Sequence, residues 1–137
     1  MSNKKIGEDF EKELLEILKL NNFWATKLKE KEIGGPFDIV ATKNNLFFSL
    51  EAKNIKKGTK FPTSRIEPNQ ISAFKRLSEV GSSNYSFFVF KAENEVFLIH
   101  SKDVVNEMKL GNSSLDVSKG MKLANWLESF ENWFCML

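Results

Sequence analysis

Phe37-Asp38-Ile39-Val40-Ala41-Thr42-Lys43-Asn44-Asn45-Leu46-Phe47-Phe48-Ser49-Leu50-Glu51-Ala52-Lys53 is the stretch that decides the fold. Phe37 to Ala41 and Leu46 to Ala52 are short runs rich in β-branched and aromatic residues. The polar link Thr42 to Asn45 between them has hairpin length and offers asparagine for positive φ. The stretch is a predicted β-hairpin. Side chains in a strand alternate between faces, so Glu51 and Lys53 share one face and Ala52 points to the other. The apolar run leading into them predicts a central, buried strand, where charged groups are costly and need a reason.

Outward from the hairpin, Phe10, Leu14, Leu15, Ile17 and Leu18 recur at helical spacing after Gly7, which predicts an amphipathic helix over about 7–20. Asn21-Asn22 ends it, and Phe23 to Leu28 alternates like a half-buried strand. Gly34-Gly35-Pro36 breaks the chain before the hairpin. On the other side, Lys53 to Pro68 lacks periodicity and reads as a basic loop. Ile71, Phe74, Leu77 and Val80 predict a second helix that stops at Gly81-Ser82-Ser83-Asn84. Tyr85–Phe90 and Val96–Ile99 are predicted strands around Glu93-Asn94. A short helix, a Gly/Asn/Ser loop and an amphipathic segment from Met121 to Phe134 complete the order. The expected fold class is α/β or α+β, with a central mixed sheet flanked by helices in one domain over residues 1–137. Its core spans about 7–105 and its helical tail 106–137.

At 137 residues, 42% apolar with thirteen phenylalanines, the chain can fund one packed core. A net charge of +2 is too balanced to imply nucleic acid by itself. The distribution says more. Lys53, Lys56, Lys57, Lys60 and Arg65 follow one another with no acid among them, whereas Glu8 to Glu16 is acid-rich. The single cysteine, Cys135, excludes an internal disulfide framework and a cysteine-rich zinc module. His100 is the only histidine, which disfavours histidine-led mechanisms, and its strand-end position reads as structural. No stretch approaches a membrane span and no apolar leader follows Lys4-Lys5, so a soluble, cytosolic protein is expected.

A glutamate and a lysine on one strand face, beside a second carboxylate, suit phosphodiester hydrolysis. They supply hard oxygen ligands for Mg²⁺ and a cation for the phosphate or the attacking water. Asp38, Glu51 and the backbone carbonyl of Ala52 are the candidate metal ligands, and Lys53 the candidate catalytic cation. The plain alternative is a solvent-facing ion pair at a strand end, worth under about 1 kcal/mol. The apolar run before the pair argues against it.

These residues resemble the PD-(D/E)xK nuclease superfamily in the form Gly-x-x-x-Glu, Asp, Glu-x-Lys, carried here by Gly7 with Glu11, Asp38 and Glu51-Ala52-Lys53. The sequence is most similar to RecU-type Holliday junction resolvases. That likeness rests on the Asp to Glu-Ala-Lys spacing followed by Thr59-Lys60-Phe61-Pro62 and Gln70-Ile71, and extends over 7 to about 105. The resemblance implies a restriction-endonuclease-like core and a homodimeric, Mg²⁺-dependent endonuclease, with Mn²⁺ able to substitute, that nicks four-way-junction DNA. It also implies that Glu11 adds a carboxylate, that Gln70 supports the site, and that Lys56, Lys57, Thr59, Lys60 and Arg65 meet the DNA backbone. Three departures stand out. Only about sixteen residues separate the first helix from Asp38, so the family's stalk is absent, as in a compact, phage-like form. Phe37 replaces a polar residue, and no counterpart is recognised from Lys109 onward. Another nuclease of the superfamily, or a non-catalytic DNA-binding module, would carry many of the same features. Trp126, Phe130, Trp133 and Phe134 form an aromatic helix face that suits either the chain's own core or a dimer interface.

Overall fold

The computed structural model describes residues 3–28, 37–81 and 85–135, with the side chains of residue 3 and residues 131–135 left aside. Helix α1 (Asn3–Leu20) begins earlier than its apolar periodicity, because that pattern marks only the buried stripe. Phe10, Leu14 and Leu18 of that stripe are buried. The helix ends where the spacing of Asn21-Asn22 predicts. Asn22 takes a φ of 66°, and the Phe23 N–H returns to the Leu18 carbonyl at 3.0 Å.

Strands β1 (Trp24–Lys27), β2 (Ile39–Lys43) and β3 (Leu46–Ile55) form an antiparallel meander. Asn44 and Asn45, at φ 54° and 65°, make the two-residue turn that the hairpin requires. Strand β4 (Lys60–Pro62) follows, then a single 3-10 turn over Thr63–Arg65 and helix α2 (Pro68–Glu79). Strands β5 (Ser86–Ala92) and β6 (Glu95–His100) form a second hairpin, and α3 (Ser101–Lys109) follows directly. Strand β7 (Ser114–Asp116), a second 3-10 turn, strand β8 (Met121–Lys122) and helix α4 (Leu123–Cys135) complete the described order.

The six-stranded sheet has the order β1-β2-β3-β5-β6-β8, antiparallel except for the parallel β3–β5 pair. It is the expected mixed sheet. Helices α1 and α4 supply one apolar layer, in which Phe10, Leu14, Leu18, Trp126 and Phe130 meet Phe23, Ile39, Phe48, Leu50 and Val89. The opposite layer gathers Ile55, Phe61, Ile66, Phe88, Phe90, Val104, Leu115 and Val117.

The sequence expectation fails in two places. Lys53 to Pro68 is not one basic loop: β3 continues to Ile55, and β4 pairs antiparallel with β7. The three-residue β4 gets its pairing from a segment far along the chain, so no local periodicity marks it. Nor is the segment from 106 onward an appended tail, since β8 joins the sheet edge and α4 seals the first layer. Trp126 stacks on Phe23 at 5.5 Å and Phe130 meets it edge-on at 5.1 Å, so these aromatics are core and not interface. The Gly34-Gly35-Pro36 break and the side chains of Trp133 and Phe134 lie outside the described residues. No helix among the described residues is long and apolar enough to cross a membrane.

Candidate active site

Asp38 sits just before β2, and its main chain is fixed on both sides. Its N–H donates to the Leu50 carbonyl at 3.1 Å, and the Leu28 N–H donates to its carbonyl at 2.8 Å. The side chain accepts the Ala52 N–H at 2.8 Å. A residue's N–H and C=O face the same neighbouring strand, so the Ala52 carbonyl lies on the edge of β3 that Asp38 flanks. The aspartate thus extends the strand pairing with its carboxylate, just past the start of β2.

Glu51 lies in the middle of β3, paired in register with Phe88 of the parallel strand, and is only 6% exposed. Gln70, buried in the first turn of α2, donates its Nε2 to Glu51 Oε1 at 2.7 Å. The same amide accepts the Glu67 N–H through Oε1 at 3.1 Å, closing a capping box with the Glu67 side chain. One Gln70 side chain thus caps α2 and hydrogen-bonds Glu51. Lys53 shares the Glu51 face as the strand period requires. Its Nζ stands 3.9 Å from Glu51 Oε1 and 3.5 Å from the Arg65 carbonyl, with 12% of the side chain exposed.

Burial, then the charge of the neighbouring Asp38, pushes the Glu51 carboxyl up to about 10, against an ordinary value of 4.5. Glu11, from α1, is raised too, first by burial and partly by Asp38, while its ion pair to Lys27 at 2.7 Å opposes the shift. Two carboxyls, one from α1 and one from β3, thus converge on Asp38. Among the described residues, no group of three or more histidine, cysteine or acidic side chains is arranged to hold a metal ion. The set nevertheless fits a divalent ion such as Mg²⁺, which takes one or two carboxylates and leaves its remaining positions to water and phosphate. The buried Glu51–Asp38 pair also concentrates negative charge that only a proton or a cation can balance.

The proposed backbone contacts divide. Lys56, Lys57 and Lys60 are exposed beyond β3. Thr59 instead turns its hydroxyl to Asp116 at 3.0 Å, tying β4 to β7. Arg65 donates Nη1 to the Asn54 carbonyl at 2.9 Å and lies over the Phe61 ring at 4.8 Å. His100 is structural, as expected: its Nδ1 accepts the Lys102 N–H at 3.0 Å and caps α3. Lys27 went unnoticed in the sequence, because a lone lysine at a strand end carries no local signal of its partner on α1.

The family model of Recombination protein U (RecU) matches residues 37–129, from the residue before Asp38 into α4. The match thus runs beyond the expected limit near 105, and it does not include Gly7 or Glu11. Among solved structures the chain is similar to Hjc, a Holliday junction resolvase of the archaeal hyperthermophile Archaeoglobus fulgidus. The two share 18% identity and a TM-score of 0.65, over 89% of this chain and 98% of that one. The fold thus recurs in another protein nearly from end to end. No curated protein matches the chain by sequence.

Proposed function

On the premise that the chain belongs to the RecU family of Holliday junction resolvases, metal-dependent endonucleases, we propose that it nicks branched DNA with Asp38, Glu51 and Lys53 at the reacting centre. The observation that carries this reading is the buried Glu51 held between Gln70 and Lys53 and crowded by Asp38, inside the matched region.

Asp38, Glu51 and the Ala52 carbonyl would hold a divalent ion, Mg²⁺ with Mn²⁺ able to replace it, which would supply Lewis-acid stabilisation of charge on the phosphoryl oxygens. Glu51 must give up its proton on loading, so metal affinity rises with pH. Gln70 donates to the Glu51 oxygen and fixes the rotamer in which the carboxylate serves the site. Lys53 presents a nearly buried ammonium on the same face, where it orients the attacking water and meets the scissile phosphate. Glu11 contributes its carboxylate from the outer side. Lys56, Lys57 and Lys60 follow the DNA backbone away from the cut, with Thr59 and Arg65 shaping the strand that presents them.

The enzyme works as a homodimer, because resolving a four-way junction takes two nicks and this chain carries one such centre among its described residues. Trp126 and Phe130 are taken up by the core. The surface open to a second copy is instead the outer face of β1–β3, where Trp24 and Phe47 remain 60% and 59% exposed on either side of Thr42 in one cross-strand row. Trp24, Thr26, Val40, Thr42 and Phe47 carry no charge, so two copies meet there without like-charge repulsion.

The test is cleavage of a labelled four-way junction, a matched duplex and a single strand with Mg²⁺, for the wild type and for Glu51→Ala and Lys53→Ala. Paired nicks in the junction, absent in both variants, are expected. Equal cutting of duplex or single strand would replace the substrate with that of another superfamily nuclease. Binding without any cutting would leave a DNA-binding module.

A further inference from the structure

Lys27 closes β1 and pairs in register with Ile39, the residue after Asp38. The Leu28 N–H that follows it is bound to the Asp38 carbonyl, so the end of β1 is tied to the site's main chain. The Lys27 Nζ stands 2.7 Å from Glu11 Oε2. The Glu11 side chain is 16% exposed, less than half as much as that of Lys27 at 42%. The pair is therefore rooted on the Glu11 side and open on the lysine side.

Glu11 needs such a partner. Its carboxyl lies within hydrogen-bonding and charge range of Asp38, which repels it when both are ionised. An unheld glutamate on a helix surface would relieve that repulsion by turning to solvent. A partly exposed ion pair adds little to stability, so what Lys27 supplies is orientation.

We propose that Lys27 is a positioning residue of the metal centre, holding the Glu11 carboxylate against Asp38 from α1 so that it is in place as an outer donor when a divalent ion binds. This rests on the assignment of Asp38 and Glu51 as the metal site. Lys27 need not touch the ion or the DNA. It acts through Glu11, and that makes its effect separable from that of a general surface charge.

The experiment measures Mn²⁺ affinity without DNA, by calorimetry and by the electron paramagnetic resonance signal of free ion. The proteins are the wild type, Lys27→Met, Lys27→Arg, Glu11→Gln and the Lys27→Met/Glu11→Gln double variant, with thermal melts in chelator to confirm folding. Lys27→Met is expected to weaken Mn²⁺ binding roughly tenfold, the scale seen when the partner of a metal ligand is removed. Glu11→Gln should lose a similar amount, the double variant no more than Glu11→Gln alone, and Lys27→Arg much less. Unchanged or tighter binding by Lys27→Met would reduce Lys27 to a bystanding positive charge and overturn the inference. Additive losses would also overturn it, because Lys27 would then not act through Glu11. Failure of the wild type itself to bind Mn²⁺ would remove the metal-site assignment, a result distinct from either.

Discussion

Replacing Glu51 with glutamine should abolish most of the loss of stability that the metal-free protein suffers as pH rises. In the folded chain the Glu51 carboxyl is pushed up to about 10, first by burial and then by Asp38, whereas an unfolded glutamate titrates near 4.5. Between those values the folded state keeps a proton that the unfolded state has lost. The stability tied to this proton is fully present below the unfolded pKa and declines as pH rises toward the folded one. The slope for one proton is about 1.4 kcal/mol per pH unit, so raising the pH from 6 to 8 costs roughly 3 kcal/mol. At roughly 3 °C per kcal/mol for a chain of this size, the melting point drops by about 9 °C. Glu51→Gln mimics the protonated form, still accepts the Gln70 amide and does not titrate. Its melting point should be nearly independent of pH over that interval apart from groups that both proteins share. Circular dichroism melts in chelator at pH 6 and 8 give the difference of slopes directly, and groups remote from the site, Asp116 included, cancel. Equal slopes for the two proteins would refute the argument. A saturating divalent ion should displace the proton and flatten the wild-type slope as well.

Other substitutions probe the frame around the site. Gly120→Ala places a Cβ 2.6 Å from the Leu98 carbonyl oxygen and 2.8 Å from Ile99 Cγ1. It should cost about 1–3 kcal/mol in urea titrations, by pushing β8 off the edge of β6. Phe130→Ala empties a site shared with Phe23, Phe48 and Trp126, and should cost about 3–5 kcal/mol while Mn²⁺ affinity, measured below the melting point, stays unchanged. Trp24→Lys and Phe47→Lys should convert a dimer to monomer in sedimentation velocity, whereas Leu110→Lys, at an exposed position after α3, should not. If both variants sediment as the wild type does, the outer face of β1–β3 is not the interface.

Most of the site was legible because its parts are close in sequence and obey strand geometry. The hairpin that carries Asp38 and Glu51 announced itself through its apolar runs and paired asparagines, and period two alone put Lys53 beside Glu51. Gln70 became legible through resemblance, since a glutamine near a helix start is otherwise an ordinary cap. What escaped was held by partners distant along the chain. The pairing of β4 with β7, the seating of β8 on β6 and the Lys27–Glu11 ion pair all join segments that show no local pattern of one another. The aromatic face of α4 allowed two readings, and only the positions of Phe23 and Phe48 chose between them.

The use of α4 as a lid on the first apolar layer has a consequence for the order in which the protein is made. Every proposed catalytic side chain, from Glu11 to Gln70, leaves the ribosome before Trp126 and Phe130 exist to cover Phe23 and Phe48. The nascent chain therefore holds all these groups while that face of the sheet is covered by α1 alone. In that interval the sheet that aligns Asp38 with Glu51 lacks part of its backing and resists proteases less well. A chain truncated before Leu123 should therefore be cleared by proteases rather than persist as a loose nuclease.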